Sequence, residues 1–119
     1  MRILWIALLV GAAFAQDKRD SPRHFLVEFT VAPDVDLMHL TQPQMDTFQQ
    51  HGLHLMKLRS EGVVIMGGHT DNPRNMRAVV IVKTRDIAAA RTLADADPAV
   101  KAGLLKPAVE AFTLAIPPK

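Results

Sequence analysis

The sequence predicts one small α+β domain with the element order β-α-β-β-α-β. Four apolar runs with many β-branched and aromatic residues, at 24–31, 62–68, 76–84 and 104–116, have the character of strands. Apolar residues at helical spacing fill two of the segments between them, each behind a residue that can cap a helix. A chain of 119 residues, of which 49% are hydrophobic, has the size and composition of a single globular domain.

The first 15 residues have the layout of a secretory signal peptide. Arg2 follows the initiating methionine, residues 3–14 are almost wholly apolar, and Ala13-Phe14-Ala15 places small residues before a cleavage site. The apolar run is short for a membrane span, and polar residues follow it at once. We therefore expect an exported protein, periplasmic or secreted, with no stable membrane anchor after signal removal and with a flexible leader over residues 16–23.

The first strand and the first helix are marked by their ends. The strand over 24–31 is rich in β-branched and aromatic residues and ends before a proline. The helix begins at a capping box, because Thr41 can cap it, Pro43 fits its first turn and Gln44 stands three residues after the cap. It is expected to end at Gly62.

The middle of the chain predicts a hairpin and then a second helix. The run at 62–68 reads as a buried strand and the run at 76–84 as its neighbour, with turn-forming residues at 71–75 between them. This spacing favours an antiparallel pair with a loose loop. Asp86 can cap a helix that runs from Ile87 to about Ala96.

The last part of the chain predicts a helical turn and a strand. Asp97-Pro98 ends the second helix, and one more helical turn is expected over 98–103. The final strand over 104–116 contains Pro107, which indicates an edge position or a bulge because proline cannot donate to the sheet ladder.

This order of elements is that of the ferredoxin-like arrangement, with four antiparallel strands and both helices on one face. The opposite face would then lack a helical cover. Val79 and Ile81 alternate with Val80 and Val82, so both sides of the third strand are apolar. We expect two copies to pack sheet to sheet as a homodimer, which gives a dimeric α+β barrel.

The composition excludes several classes of function. The chain has no cysteine, which excludes a disulfide scaffold, a thiolate metal site and a cysteine nucleophile. Lys and Arg number 14 against 12 Asp and Glu, without a basic stripe with interleaved aromatics, so nothing indicates a nucleic-acid partner. The sequence has no nucleophile elbow, dinucleotide fingerprint or internal repeat, and we expect no cofactor.

Three stretches resemble the YCII-related (YciI-like) domain family. Residues 94–104 are similar to its motif Ala-x-x-Asp-Pro-aromatic-x-x-Ala-Gly-Leu. Residues 51–62 are similar to the His-x-x-x-Leu-x-x-Leu-x-x-x-Gly pattern of its first helix, and residues 62–68 resemble the strand after it. The resemblance covers residues 24–116, which we take as the folded domain.

The resemblance implies a dimeric α+β barrel with a small pocket and an active site built around a His and an Asp. One related group removes chloride from chlorinated hydroxyhydroquinones, so lyase chemistry on small aromatic compounds is among the activities that it implies. The chain departs from the family pattern in its export signal, at Ala99, where the motif has an aromatic residue, and at His69, where the strand ends in proline.

His51 and Asp97 are the candidate catalytic residues. His51 stands three residues after Phe48 and four before Leu55, so it lies on or beside the helix face that packs on the sheet. An imidazole there could serve as general acid or base, or be a half-buried histidine bonded to a backbone carbonyl. Asp97 could accept a hydrogen bond from this ring, or it could only cap the following helical turn, and Asp95 competes for either role.

Three further residues are candidates for substrate binding: His54, His69 and Arg91. His51 and His54 stand three apart on one helix, and His69 could be a third ligand, but the chain has no His-Glu-x-x-His motif and no acidic neighbour at ligand spacing. We therefore expect no metal. Arg91 could hold an anionic substrate group or be simply solvated.

These observations predict an exported protein that binds a small organic molecule and uses a His–Asp pair in lyase or hydrolase chemistry. Two alternatives stay open. The pocket could hold a small ligand without turning it over, or the chain could be a structural dimer whose pocket is vestigial.

Overall fold

The computed structural model describes residues 22–119. The predicted signal peptide, residues 1–15, and the leader up to residue 21 lie outside the described residues, so export stays a prediction. The elements are, in chain order, β1 (Arg23–Val31), α1 (Gln42–Ser60), β2 (Val64–His69), β3 (Arg77–Thr84), α2 (Ile87–Asp95), α3 (Pro98–Lys101) and β4 (Leu105–Phe112).

The four strands form one antiparallel sheet in the order β2-β3-β1-β4. This is the ferredoxin-like topology, so the predicted fold class is confirmed. β2 and β3 form the predicted hairpin, with an irregular register between Val64 and Met66. Pro107 lies in β4 at the edge of the sheet, where a missing backbone donor is tolerated.

The hydrophobic core lies between one face of the sheet and the helices. Phe25, Val27 and Phe29 of β1 are 3%, 2% and 2% exposed, and the first two pair with Val82 and Val80 of β3. Alternation along the strands puts all five side chains on the same face. The helices pack on this face through small and apolar residues, which are Leu58, Ala90, Ala94 and Ala99.

The opposite face of the sheet, which we call the open face, carries apolar side chains together with Glu28 and Glu110, which pair with Val79 and Leu26. Leu26 pairs with Ile81, and Ile81 pairs in turn with Met66, while Val79 lies two residues from Ile81 on the same side. The helices among residues 22–119 pack on the other face, as predicted. The second copy that we expect to cover the open face stays a prediction.

α1 begins at the predicted capping box. The Thr41 hydroxyl accepts a hydrogen bond from the Gln44 backbone N–H, and the Gln44 side chain accepts one from the Thr41 N–H. The helix ends at Ser60 with Glu61 as its C-cap, and Gly62 follows with a φ of +78° that favours glycine. The Val63 N–H then donates to the Leu58 carbonyl, which closes the helix end and starts β2 two residues later than predicted.

The prediction that the last strand reaches residue 116 was wrong, because β4 ends at Phe112. Phe112 pairs with His24, and only Arg23 of β1 lies beyond His24, so β1 is too short to pair with the chain as far as residue 116. In the part of the chain that the structure describes, no helix has the length and apolar character needed to cross a membrane.

Candidate functional site

α1 and α3 bring His51 and Asp97 together from positions 46 residues apart in the chain. The His51 Nδ1 atom lies 2.6 Å from the Asp97 Oδ2 atom. A carboxylate oxygen accepts hydrogen bonds and cannot donate them, so Nδ1–H is the donor. The second ring nitrogen, Nε2, is then free to accept a proton.

Both oxygens of Asp97 have a partner. Oδ1 accepts a hydrogen bond of 2.8 Å from the Ala99 backbone N–H and so caps α3, while Oδ2 accepts the one from His51. Asp97 is 1% exposed. The sequence left capping and histidine contact as alternatives, and in the structure this carboxylate does both. Asp95, the competing candidate, is exposed at the end of α2.

Phe29 fixes the other side of the His51 ring. The two rings meet edge to face, with centroids 5.4 Å apart and planes at 83°. The His51 side chain is 15% exposed, so most of it is held between α1, the sheet and α3. Contact with Asp97 and Phe29 restricts the ring to one orientation, as a group that transfers protons requires.

A cleft of about 580 Å³ opens between α1 and β2, and His51 lines it. This volume falls in the range of about 300–1,000 Å³ that is usual for small-molecule sites. The charged or titratable side chains along it are His51, Arg59 and His69. The rest of the lining is apolar side chains and glycine, chiefly Leu55, Met56, Ile65, Met66, Gly67 and Val80.

β2 forms one wall of the cleft and brings His69 to it. The His69 Nδ1–H donates to the Thr70 carbonyl at 3.1 Å. At Gly67 a side chain would be crowded, because a Cβ atom there would lie 3.1 Å from the Val79 carbonyl oxygen. Gly68 has no such neighbour within 4 Å.

The structure places neither His54 nor Arg91 at the cleft. His54 follows His51 by three residues, which is about 300° of helical rotation, and it lines a separate gap of about 10 Å³ that Asp97 also borders. Its Nε2 is buried and has no hydrogen-bond partner among residues 22–119. Arg91 is exposed because α2 turns Ala90 and Ala94 toward the core.

The two remaining described histidines lie outside the cleft, so the five histidines do not form one cluster. His24 is in β1, and His39 sits in an exposed loop, where its hydrogen bond holds the pKa of the Asp36 carboxyl below its usual value. Within residues 22–119, no group of three or more His, Cys, Asp or Glu side chains is arranged to hold a metal ion.

Arg59 is a cleft residue that the sequence patterns did not single out. It lies in the last turn of α1, eight residues after His51 and four after Leu55. Residues spaced by four lie on one side of a helix, so the spacing of His51, Leu55 and Arg59 in the sequence could have identified Arg59 as a residue of the same site.

Comparison with known proteins agrees with this architecture. The family model of the YCII-related domain matches residues 25–112. A solved structure of 5-chloro-2-hydroxyhydroquinone dehydrochlorinase from Burkholderia phenoliruptrix, in complex with 2,5-dihydroxybenzoquinone, is similar in fold, with a TM-score of 0.59 and 21% sequence identity over 76% of this chain and 93% of that one. No curated protein sequence matches this chain. The match over most of the domain shows that the chain belongs to the YCII-related domain family.

Proposed function

We propose that the cleft binds a small organic molecule and that His51 transfers a proton to or from it, in lyase or hydrolase chemistry. The observation that carries this proposal is the 2.6 Å hydrogen bond from His51 Nδ1 to Asp97 at the edge of the cleft. It leaves Nε2 available on a ring that borders a cavity of small-molecule size. We also propose that the protein is exported, because its first 15 residues have the layout of a signal peptide.

The chemistry follows from the two ring nitrogens. In a lyase reaction, Nε2 takes a proton from the bound molecule, the electron pair of the broken bond forms a double bond, and the leaving group departs with its own electron pair. In a hydrolase reaction, Nε2 takes a proton from a water molecule whose oxygen adds to the carbonyl carbon, and it returns that proton to the leaving group. The imidazolium that forms stays next to the Asp97 carboxylate, which stabilises its charge and keeps its orientation. Loss of a proton and a chloride ion, the reaction that the name of the structurally similar dehydrochlorinase describes, has the form of the lyase reaction.

His51→Gln tests whether the imidazole transfers a proton. We expect turnover to fall by about 10²- to 10⁴-fold, the usual contribution of a general acid or base, while the melting temperature changes little. Chloride release and hydrolysis would be measured over a panel of small chlorinated and esterified hydroxyaromatic compounds, with binding of 2,5-dihydroxybenzoquinone followed by absorbance.

His39→Gln is the matched control, since His39 also bonds to a carboxylate but has an 82% exposed side chain outside the cleft. Loss of ligand binding in His51→Gln, with no turnover by the unmodified protein, would identify a binding module. Unchanged binding and turnover would contradict any role of His51 in ligand binding or catalysis. The remaining alternative would then be a structural dimer whose pocket is vestigial.

We further propose that a second copy of the chain covers the open face. Its apolar residues are Leu26 and Val79, which are half-buried, Ile81, which is buried, and Met66, which is 52% exposed. Glu28 lies beside them, opposite Val79, and a shallow depression of about 320 Å³ on this face is lined by Met66 and Val79 among others. Apolar patches of this kind are uncommon on monomeric proteins. A two-fold axis through the sheet would bury the same patch on both copies.

Light scattering at micromolar protein concentration tests this dimer. We expect twice the chain mass for the unmodified protein and the chain mass for Val79→Glu, because Val79 pairs with Glu28 and two adjacent carboxylates would then be buried in the interface. Leu53→Lys is the control, since Leu53 is 57% exposed on α1, away from the sheet, and the variant should stay dimeric. A monomeric unmodified protein contradicts the proposal.

A further inference from the structure

We infer that the molecule bound in the cleft is an organic anion whose carboxylate-like group is held by Arg59. The inference rests on the proposed ligand binding in this cleft and adds the chemical class of the ligand. It follows from the charges that line the cleft, from the placement of Arg59 on α1 and from the hydrogen bond that His69 makes.

Arg59 is the one side chain in the lining of the cleft that carries a permanent charge. The lining also contains two imidazoles and no carboxylate, and the Asp71 carboxylate lies outside it, 3.7 Å from the His69 Nδ1 atom. Asp97 lies behind His51, 1% exposed, with both oxygens engaged. Arg59 is exposed, and in residues 22–119 it forms no ion pair with an acidic side chain. A positive charge beside low-dielectric walls attracts anions to the cleft.

The geometry of α1 directs Arg59 along the cleft. His51, Leu55 and Arg59 lie on one side of the helix, and His51 and Arg59 are separated by about 12 Å of helical rise. Side chains on a helix lean toward its N-terminus, so the long Arg59 side chain leans toward His51. The remaining gap suits a molecule with one ring, and the planar guanidinium can bind a carboxylate through two parallel hydrogen bonds.

His69 presents a different group. Because its Nδ1–H donates to the Thr70 carbonyl, the Nε2 atom of the neutral ring is a hydrogen-bond acceptor. An acceptor suits a hydroxyl group of the ligand and not a second anion. The cleft wall between Arg59 and His69 is apolar. The cleft therefore fits a small hydroxylated ring that carries one carboxylate-like group at the Arg59 end.

Two ligand analogues of nearly the same shape separate charge from fit. 4-Hydroxybenzoate carries a carboxylate, and 4-hydroxybenzamide is its uncharged counterpart. Both would be titrated into ¹⁵N-labelled protein, and amide shifts at Gly52, Leu55 and Gly67 would report binding in the cleft. We expect the benzoate to bind about tenfold or more tightly than the benzamide, as one charge-assisted hydrogen-bonded pair provides.

Arg59→Gln should abolish this preference and leave benzamide binding unchanged. Lys57→Gln is the matched control, because Lys57 carries the same charge in the same last turn of α1 but does not line the cleft, and this variant should keep the preference. Comparison of the two variants also distinguishes direct contact between Arg59 and the ligand from a general effect of positive charge near the C-terminus of α1.

The outcomes distinguish this inference from the proposed function. Equal binding of both analogues to the unmodified protein, or a preference that survives in Arg59→Gln, overturns the anion inference and leaves ligand binding in the cleft intact. The absence of cleft shifts with either analogue, together with unchanged turnover in His51→Gln, overturns the proposed function and the inference with it.

Discussion

Asp97→Asn is expected to remove most of the activity and to leave the fold in place. The asparagine Oδ1 can still accept the hydrogen bond from the Ala99 N–H, since Asn is as good a helix cap as Asp. Its amide group, however, presents N–H donors to the Nδ1 atom of His51. The ring must then carry its proton on Nε2, the atom that faces the reaction, and it can no longer act as a base there.

A change of tautomer of this kind reduces turnover by about 10²- to 10⁴-fold in comparable His–Asp arrangements. The measurements are turnover, melting temperature and the ¹⁵N shifts of the His51 ring, which report directly which nitrogen carries the proton. Asp95→Asn is the control, because Asp95 is exposed two residues earlier and makes no hydrogen bond or ion pair with a histidine among residues 22–119. Equal activity of the two variants would contradict the orienting role of Asp97.

Phe29→Ala is expected to produce a large loss of stability, about 3–5 kcal/mol of unfolding free energy. Phe29 is 2% exposed at the centre of the core, and its removal leaves a cavity under α1. The same change removes the edge contact that holds the His51 ring. Urea unfolding at a fixed protein concentration measures the free energy of unfolding, since the proposed dimer would make this free energy depend on concentration.

Phe25→Ala is the matched variant for Phe29→Ala. Phe25 lies on the same strand and the same face and is 3% exposed, so its loss should be similarly destabilising. It forms no ring contact with His51 among the described residues. Under conditions where both variants remain folded, only Phe29→Ala should lower turnover below that of the unmodified protein, and an equal decrease in both would show that ring packing is not the cause.

Local sequence signals predicted most of the fold. The Thr41–Gln44 capping box, the caps at Asp86 and Asp97 and the glycine at residue 62 act within a few residues, so the sequence alone exposes them. The end of β4 was predicted wrongly because it depends on where its partner strand begins, which is tertiary information.

The candidate site could be predicted only in part. The resemblance to the family suggested the pairing of His51 with Asp97. No periodicity in either segment encodes their contact, because the approach of α3 to α1 determines it. His54 is offset from His51 by about 60° around the helix axis, since three residues make about 300° of rotation. This offset is enough for His54 to line a different gap. Arg59 went unnoticed because a lone exposed arginine near a helix end is common on any surface.

The two bonds of Asp97 have a consequence for how this site can change over time. One oxygen of the carboxylate starts α3 and the other holds the imidazole, so folding and chemistry constrain the same side chain. A descendant that had lost its substrate would still need a capping oxygen at position 97, but it would have no use for a base at position 51. Neutral mutation would therefore replace the histidine at position 51 first. An aspartate at position 97 without this histidine would then be a poor indicator of a functional site.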